Sequence, residues 1–519
     1  MIFRSPCPDV EIPEVSLTSL VLRHAQRLAD KPALIDAASG RALTYAELAG
    51  AVRRAAASLA RRGFLKSDVF AIFSPNAPEY AVAMHAVSLL GGVIAPIYPL
   101  LTPRELSGQL KEADAVCLLT IPQLMKTAQA AARETNVREI FVFGEAAGAT
   151  TFASLLKGDG QAPAVEINPR EDLFALPFSS GTTGLPKCVM LTHYNLAANL
   201  CQMDAVSTID EDDRVVCVVP CAHLYGMHVV MNLGLSKGAT IVTLPRFELE
   251  QFLQVLQDYR ITRAPLVPSI VYAMAYHPSI DNYDLSELRQ IHSGGAPLAA
   301  SVAQACVARL NCQMRYGYGQ TEVSPLSHMT GAHESANTAA SVGCCLPNTE
   351  CKVMDAATGE ELGPREQGEL WTRGPQVMKG YLNRPEATAA TIDLEGWLHT
   401  GDIGYADEDG RFFIVDRLKE LIKFKGLQVA PAELEALLLS HSSIADAAVV
   451  PFPDEEAGEI PKAFVVLKAE ASDEEIMSYI AERVAPHKKI RRVERIAQIP
   501  RSPAGKILRR LLIEREKEA

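Results

Sequence analysis

Blocks of apolar residues change period along this chain, from helical to strand-like and back. Leu48, Val52, Ala55 and Leu59 recur on one helical face, and Thr44 with Glu47 opens that helix as a capping box. Residues 69–73 are continuously apolar and end in Ser74-Pro75-Asn76, the mark of a short buried strand. Thr102 before Pro103 starts another helix, and strands at 116–120 and 140–143 flank a helix at 123–134. The same grammar resumes with an apolar strand at 173–178 and a helix from 195. Strands at 215–219 and 240–244 and a helix at 248–260 follow. Such alternation predicts a largely parallel α/β sheet system with helices on both faces. The window 80–103 lacks acids, lysine and arginine and is long enough to span a bilayer. Gly91-Gly92, Pro96 and Pro99 divide it into a short helix and a buried strand.

Past residue 341 the pattern shortens to strands at 349–354, 369–372 and 411–415, a small antiparallel lobe. Residues 416–426 form a charged connector. Beyond it Pro431 opens a helix with Leu434, Leu437 and Leu438 on its face, and strands follow at 447–450 and 463–467. Ser472 with Glu475 caps a last amphipathic helix carrying Ile476, Tyr479 and Ile480. This is a compact α+β module of about a hundred residues.

At 519 residues there is room for about three domain-sized units, or one large domain with an appendage. A net charge of −12 argues against a nucleic-acid partner. Eleven cysteines, an odd number without zinc-like spacing, fit thiols in a reducing compartment. Cys344-Cys345 and the Cys217/Cys221 pair read as small core hydrophobes. Asp9, Glu11 and Glu14 leave no signal peptide at the N-terminus, and the last residues carry no peroxisomal tripeptide, so a cytoplasmic protein is expected.

Residues 179–187, Ser-Ser-Gly-Thr-Thr-Gly-Leu-Pro-Lys, break the apolar pattern directly after a strand. Hydroxyls, glycines and a lysine make a poor core and a good anion cradle. Glycine lets successive N–H groups point at one oxyanion, and lysine adds full charge. A solvated Ser/Gly loop is the plain alternative. No Gly-Lys-Ser/Thr closes the stretch, so it is not a Walker A loop. Two more turns sit where strands end: 220–226, which carries His223, and 291–296, too rich in small residues for plain core.

The stretch 179–187 resembles the phosphate loop of the adenylate-forming enzymes, which include acyl-CoA ligases, luciferases and peptide-synthetase adenylation domains. The likeness continues through Tyr318-Gly319-Gln320-Thr321-Glu322, residues 396–402, residues 416–423 and Pro503-Ala504-Gly505-Lys506. It is strongest for the 4-coumarate–CoA ligase-like branch, although Gln320 stands where that branch usually has methionine. The resemblance implies a large N-terminal domain, 1–417, a small mobile C-terminal lid, 418–519, and a site between them.

It also implies roles. Ser179, Ser180, Gly181, Thr182, Thr183, Gly184 and Lys187 would grip the β- and γ-phosphates of ATP, and Thr321 would add a phosphate contact. Tyr318, with Gly319 beside it, would pack on adenine, and Glu322 would hold Mg²⁺. Asp402 would accept both ribose hydroxyls, with Arg417 as a second ribose contact. Lys506 would bridge the carboxylate and the α-phosphate. For the thiol step Lys419 would be the hinge, while Lys423, Gly426 and Gln428 line the path of coenzyme A. His223 either gates that tunnel, orients the carboxylate, or is a satisfied core histidine. Leu224, Tyr225, Ser293 and Gly294 would line the acyl pocket, together with Gly295, Ala296, Gly317, Pro325 and Leu326. Tyr225 would hydrogen-bond a ring hydroxyl, and Gly295 would enlarge the back of the site.

The expected function is an ATP-dependent carboxylic acid–CoA ligase acting through an acyl-AMP, on aryl-propenoic acids. Medium-chain fatty acids, or a carrier-protein thiol in place of CoA, are the alternatives. A non-catalytic nucleotide-binding protein would not need Lys187, Glu322, Asp402, Arg417 and Lys506 together.

Overall fold

The computed structural model describes residues 1–179, 186–331, 341–418, 420–425, 427–454, 457–501 and 505–518, the side chains of 428 and 516–518 excepted. Among these residues the chain forms two nine-stranded sheets, an antiparallel five-stranded sheet and a five-stranded C-terminal sheet. In the first sheet Val69–Phe73 and Val93–Ile97 pair in parallel and are buried at every position, which is why they read as unbroken apolar runs. Leu173–Ala175 lies beside Val93–Ile97 and leads to the antiparallel strands Phe178–Ser179 and Lys187–Thr192. The second sheet sets Arg214–Cys217, Arg263–Leu266, Gln290–Ser293 and Gln313–Gly319 side by side in parallel. Their carboxyl ends therefore open on one edge, where α/β sheets bind ligands.

Helix starts follow the sequence closely. Thr44 with Glu47, Thr102 with Glu105, Thr192 with Asn195 and Ser472 with Glu475 all form reciprocal capping boxes. The window 80–103 is divided as expected, into helix Pro78–Leu89 and strand Val93–Ile97. No helix among the described residues is long and apolar enough to cross a membrane.

Four features differ from the sequence reading. Phe3–Arg4 joins the antiparallel sheet, Phe3 lying opposite Cys351 with its ring edge-on to Phe412 at 5.4 Å. The helix expected at 123–134 is a 3-10 turn, Pro122–Leu124, running into Met125–Ala132. The turn at 220–226 continues as a buried π-helical stretch, Tyr225–Asn232. The stretch 416–426 is more than a connector. Its first residues finish strand Phe412–Arg417, and Ile422–Phe424 forms a hairpin with Leu427–Val429. Asp416 spans the join, its Oδ2 accepting the Ala432 N–H at 2.8 Å beside the start of helix Pro431–Leu439.

Cys217 and Cys221 are buried, with their Sγ atoms 3.7 Å apart. The described residues contain no cluster of three or more His, Cys, Asp or Glu placed to hold a metal.

Candidate active site

Lys187 opens its strand opposite Ser179, in an antiparallel pair. Ser180, Gly181, Thr182, Thr183 and Gly184 lie outside the described residues. The Ser179 hydroxyl is buried and has no hydrogen-bond partner among the described residues. The Lys187 ammonium stands 4.7 Å from the ring centroid of Tyr381, whose hydroxyl donates to Glu322 Oε1 at 2.9 Å. Glu322 is buried in the 3-10 turn Thr321–Val323, which follows strand Gln313–Gly319. Its carbonyl accepts the Met378 N–H at 2.9 Å. Thr321 opens the turn, partly buried, next to Gln320, whose amide nitrogen finds no partner among the described residues.

Asp402 lies on strand Leu398–Ala406, directly opposite Arg417. Its Oδ1 is 3.2 Å from Arg417 Nε, and its Oδ2 accepts the Tyr318 hydroxyl at 2.7 Å. Burial and then the Asp402 charge push the Tyr318 pKa upward, so the phenol remains a donor. Each Asp402 oxygen keeps a lone pair for one more donor, which is what two neighbouring hydroxyls require. The Tyr318 ring tilts against His328, centroids 5.6 Å apart, and its hydroxyl fixes the orientation of Asp402. A Cβ on Gly319 would fall 1.9 Å from the Pro325 carbonyl oxygen, and only glycine fits that crossing.

Lys506 follows Gly505, whose absent Cβ would stand 3.7 Å from Val267, so the C-terminal turn rests at the start of helix Pro268–Tyr276. Burial lowers the Lys506 pKa and Arg417 lowers it further, while Asp402, Glu322 and Glu420 oppose them. The lysine is thus within reach of the charges of Asp402, Arg417 and Glu322. His223 is within reach of the Lys506 charge. Its Nδ1 accepts the Tyr225 N–H at 3.1 Å, and burial followed by the Lys506 charge holds its pKa down to about 4. The ring is neutral with its proton on Nε2, a tautomer assigned from that hydrogen bond.

Tyr225 is buried. Its hydroxyl donates to the His292 carbonyl oxygen at 2.7 Å, so it has no proton left for a ligand and can only accept. An added Cβ on Gly294 would meet the Tyr225 ring at 3.6 Å and the Gly317 carbonyl oxygen at 3.7 Å, so Gly294 sits directly beside both. Gly295 is exposed, with φ 87°, because the turn after Gln290–Ser293 needs a left-handed residue there. Ser293, Leu224, Pro325 and Leu326 are buried and Ala296 partly so.

Lys423 is exposed on the hairpin opposite Gln428. Lys419 and Gly426 lie outside the described residues. Sequence reasoning missed two residues. Tyr381 sits in an ordinary Gly-Tyr pair, and only pairing with strand Lys187–Thr192 brings it beside Lys187. His292 is one of three polar residues on the fully buried strand Gln290–Ser293, a signal easily taken for core.

A family model described as AMP-binding enzyme matches residues 21–382, and one described as AMP-binding enzyme C-terminal domain matches residues 433–506. The chain is 42% identical to 4-coumarate–CoA ligase 1 of Solanum tuberosum, over 98% of this chain and 96% of that protein. It resembles ATP-bound MatB from Rhodopseudomonas palustris with a TM-score of 0.89 and 26% identity, covering 97% of this chain and 99% of the other. The o-succinylbenzoate CoA synthetase of Bacillus subtilis, solved with its acyl-adenylate intermediate, gives a TM-score of 0.84 at 27% identity, with 96% and 98% covered. The chain belongs to the AMP-binding enzyme family and is an ATP-dependent, AMP-forming acid–CoA ligase of the 4-coumarate–CoA ligase type.

Proposed function

We propose that this ligase acts in the cytoplasm on aryl-propenoic acids of the cinnamate and 4-hydroxycinnamate kind. The observation that supports the aromatic reading is the close approach of the Tyr225 ring, Gly294 and Gly317, with His292 beside them, which the proposal takes as the walls of a narrow slot. A flat ring fills a narrow slot and loses little freedom there, whereas a flexible chain must be ordered. Because the Tyr225 proton goes to the His292 carbonyl, His292 Nδ1, 3.4 Å from the phenol oxygen, supplies the proton between them. Its Nε2 is left as an acceptor, buried, without a partner among the described residues, and 2.9 Å from where a Gly317 Cβ would be. Burial and then Arg315 hold the His292 pKa down to about 3, so the ring is neutral. A ring hydroxyl would donate to that nitrogen. The curated relatives named for 4-coumarate support the same class, and all eleven cysteines carry thiols rather than disulfides, which supports the compartment.

In the adenylation half, Lys187, Ser179 and the adjoining loop hold the β- and γ-phosphates. Glu322 suits Mg²⁺: it is buried, Tyr381 takes one of its oxygens, and the other remains. One carboxylate plus phosphate oxygens is a usual magnesium site, and the bound ion neutralises phosphate charge. Asp402 and Arg417 take the ribose hydroxyls, and Tyr318 fixes Asp402. The His223 Nε2–H orients the acid's carboxylate. Lys506 stabilises the charge that develops as a carboxylate oxygen attacks the α-phosphorus and pyrophosphate leaves. In the second half the CoA thiol attacks the acyl carbonyl and AMP departs. Residues 418–519 turn about Lys419 against 1–417 for that step, bringing Lys423, Gly426 and Gln428 to the thiol.

The test is kcat/KM for 4-hydroxycinnamate, cinnamate and a series of medium-chain fatty acids, read as pyrophosphate release and as thioester. The aromatic acids should lead, and His292→Met should cost 4-hydroxycinnamate about fivefold relative to cinnamate, the worth of an ordinary hydrogen bond. Fatty acids leading by about tenfold in the parent would sink the reading, since slots discriminate chains on that scale.

A further inference from the structure

Tyr381 lies outside the motifs that mark this chain, yet it touches two of them. Its strand, Gly380–Tyr381, pairs antiparallel with Lys187–Thr192, and Tyr381 lies opposite Val189. Residues directly opposite share a face, and Lys187 is on that face one alternation away, so tyrosine and lysine meet as diagonal neighbours. The ammonium sits 4.7 Å from the ring centroid, within cation–π range. At the far end of the ring the hydroxyl donates to Glu322 Oε1 at 2.9 Å. The backbone is pinned as well. The Tyr381 N–H bonds Thr388 Oγ1 at 2.9 Å, and the Leu382 N–H bonds the Cys188 carbonyl at 2.9 Å. A Cβ on Gly380 would meet Thr388 at 2.8 Å, so the close approach needs glycine.

We propose that Tyr381 is a positioning residue that couples the triphosphate lysine to the magnesium carboxylate. The inference rests on the assignment, made above, of Lys187 to the triphosphate and Glu322 to Mg²⁺. The phenol occupies one oxygen of Glu322 and leaves the other, aimed by a fixed donor, for the ion. The ring restrains a long flexible side chain, so less freedom is lost when the ammonium meets phosphate.

ATP binding is measured by calorimetry on the whole enzyme without acid, over a Mg²⁺ series, with thermal melts alongside. Tyr381→Phe keeps the ring and loses the hydroxyl. It should raise the Mg²⁺ concentration for half-maximal effect about three- to tenfold and leave metal-free ATP binding at the parent value. Tyr381→Leu also loses the ring and should weaken metal-free binding about two- to fivefold. Glu322→Gln is run beside them. If it leaves the Mg²⁺ response at the parent value, the assignment of Glu322 fails and the proposal falls with it. If Glu322→Gln shifts the response and Tyr381→Phe does not, the proposal alone is overturned. In the Glu322→Gln background, Tyr381→Phe should add nothing to the Mg²⁺ response, and a full additive shift would overturn it. Loss of the cooperative melt in Tyr381→Phe would mark a tyrosine that only holds the fold, and would overturn it too.

Discussion

The Tyr225 hydroxyl shows how a pocket residue can be committed to the fold before any ligand arrives. It is buried and ties the π-helical stretch to the end of strand Gln290–Ser293 through the His292 carbonyl. Tyr225→Phe should therefore cost about 1–3 kcal/mol of stability, the price of an orphaned buried acceptor. Its ratio of kcat/KM for 4-hydroxycinnamate over cinnamate should stay near the parent's. Melting curves and the two rate constants check this together; an unchanged melt with a collapsed ratio would return the hydroxyl to the substrate. The glycines divide in the same way. Gly294→Ala has room, with nothing nearer than 3.6 Å to its Cβ, and should narrow the slot without strain. A side chain at Gly295 would be strained at φ 87° whatever the space.

At the scale of elements, what was legible in the sequence is what local rules determine. Thr44 with Glu47 and Ser472 with Glu475 announce their helices because both halves of a capping box lie three residues apart. Val69–Phe73 announces itself because a strand covered on both faces is apolar throughout. The two-residue strands Phe3–Arg4 and Gly380–Tyr381 have no period to read, and only distant partners create them. The site divides likewise. Lys187, Glu322, Asp402 and Lys506 sit in recognisable motifs, whereas Tyr381 and His292 acquire their positions from cross-strand register. The π-helical stretch also escaped, since a widened turn leaves the apolar pattern unchanged. Its start is tightly set, because a Cβ on Gly226 would meet the Pro220 carbonyl oxygen at 2.4 Å. Gly226→Ala should shift the turn that carries His223, lowering the melting temperature and adenylation together. A parent-like melt and rate would show that this crossing is slack.

Across the whole molecule, acid should loosen the N-terminal core before most carboxylates titrate. Burial holds His85 at about 3, His193 at about 4 and His228 at about 3, against an ordinary value of 6.5. Each is bonded through Nδ1, to Thr18, Leu17 and Asn232 respectively. The unfolded chain takes up these protons first, so the contribution is full above pH 6.5 and is lost as pH falls toward 4. Urea midpoints should drop between pH 7 and about 5, and His193→Gln should flatten that slope by about one proton; a level parent profile would contradict the burial argument. Lys506 is within reach of the Asp402, Arg417 and Glu322 charges, and the proposal assigns it to acyl-AMP formation and gives it no part in thioester formation. The decisive measurement compares the two half-reactions in Lys506→Ala: acyl-AMP formation from acid and ATP, and thioester formation from supplied acyl-AMP and CoA. Adenylation should slow by about 10²–10³, the usual cost of a lost transition-state charge partner, while thioester formation stays near the parent rate. Equal losses in both halves would mean that Lys506 holds the fold together rather than the transition state.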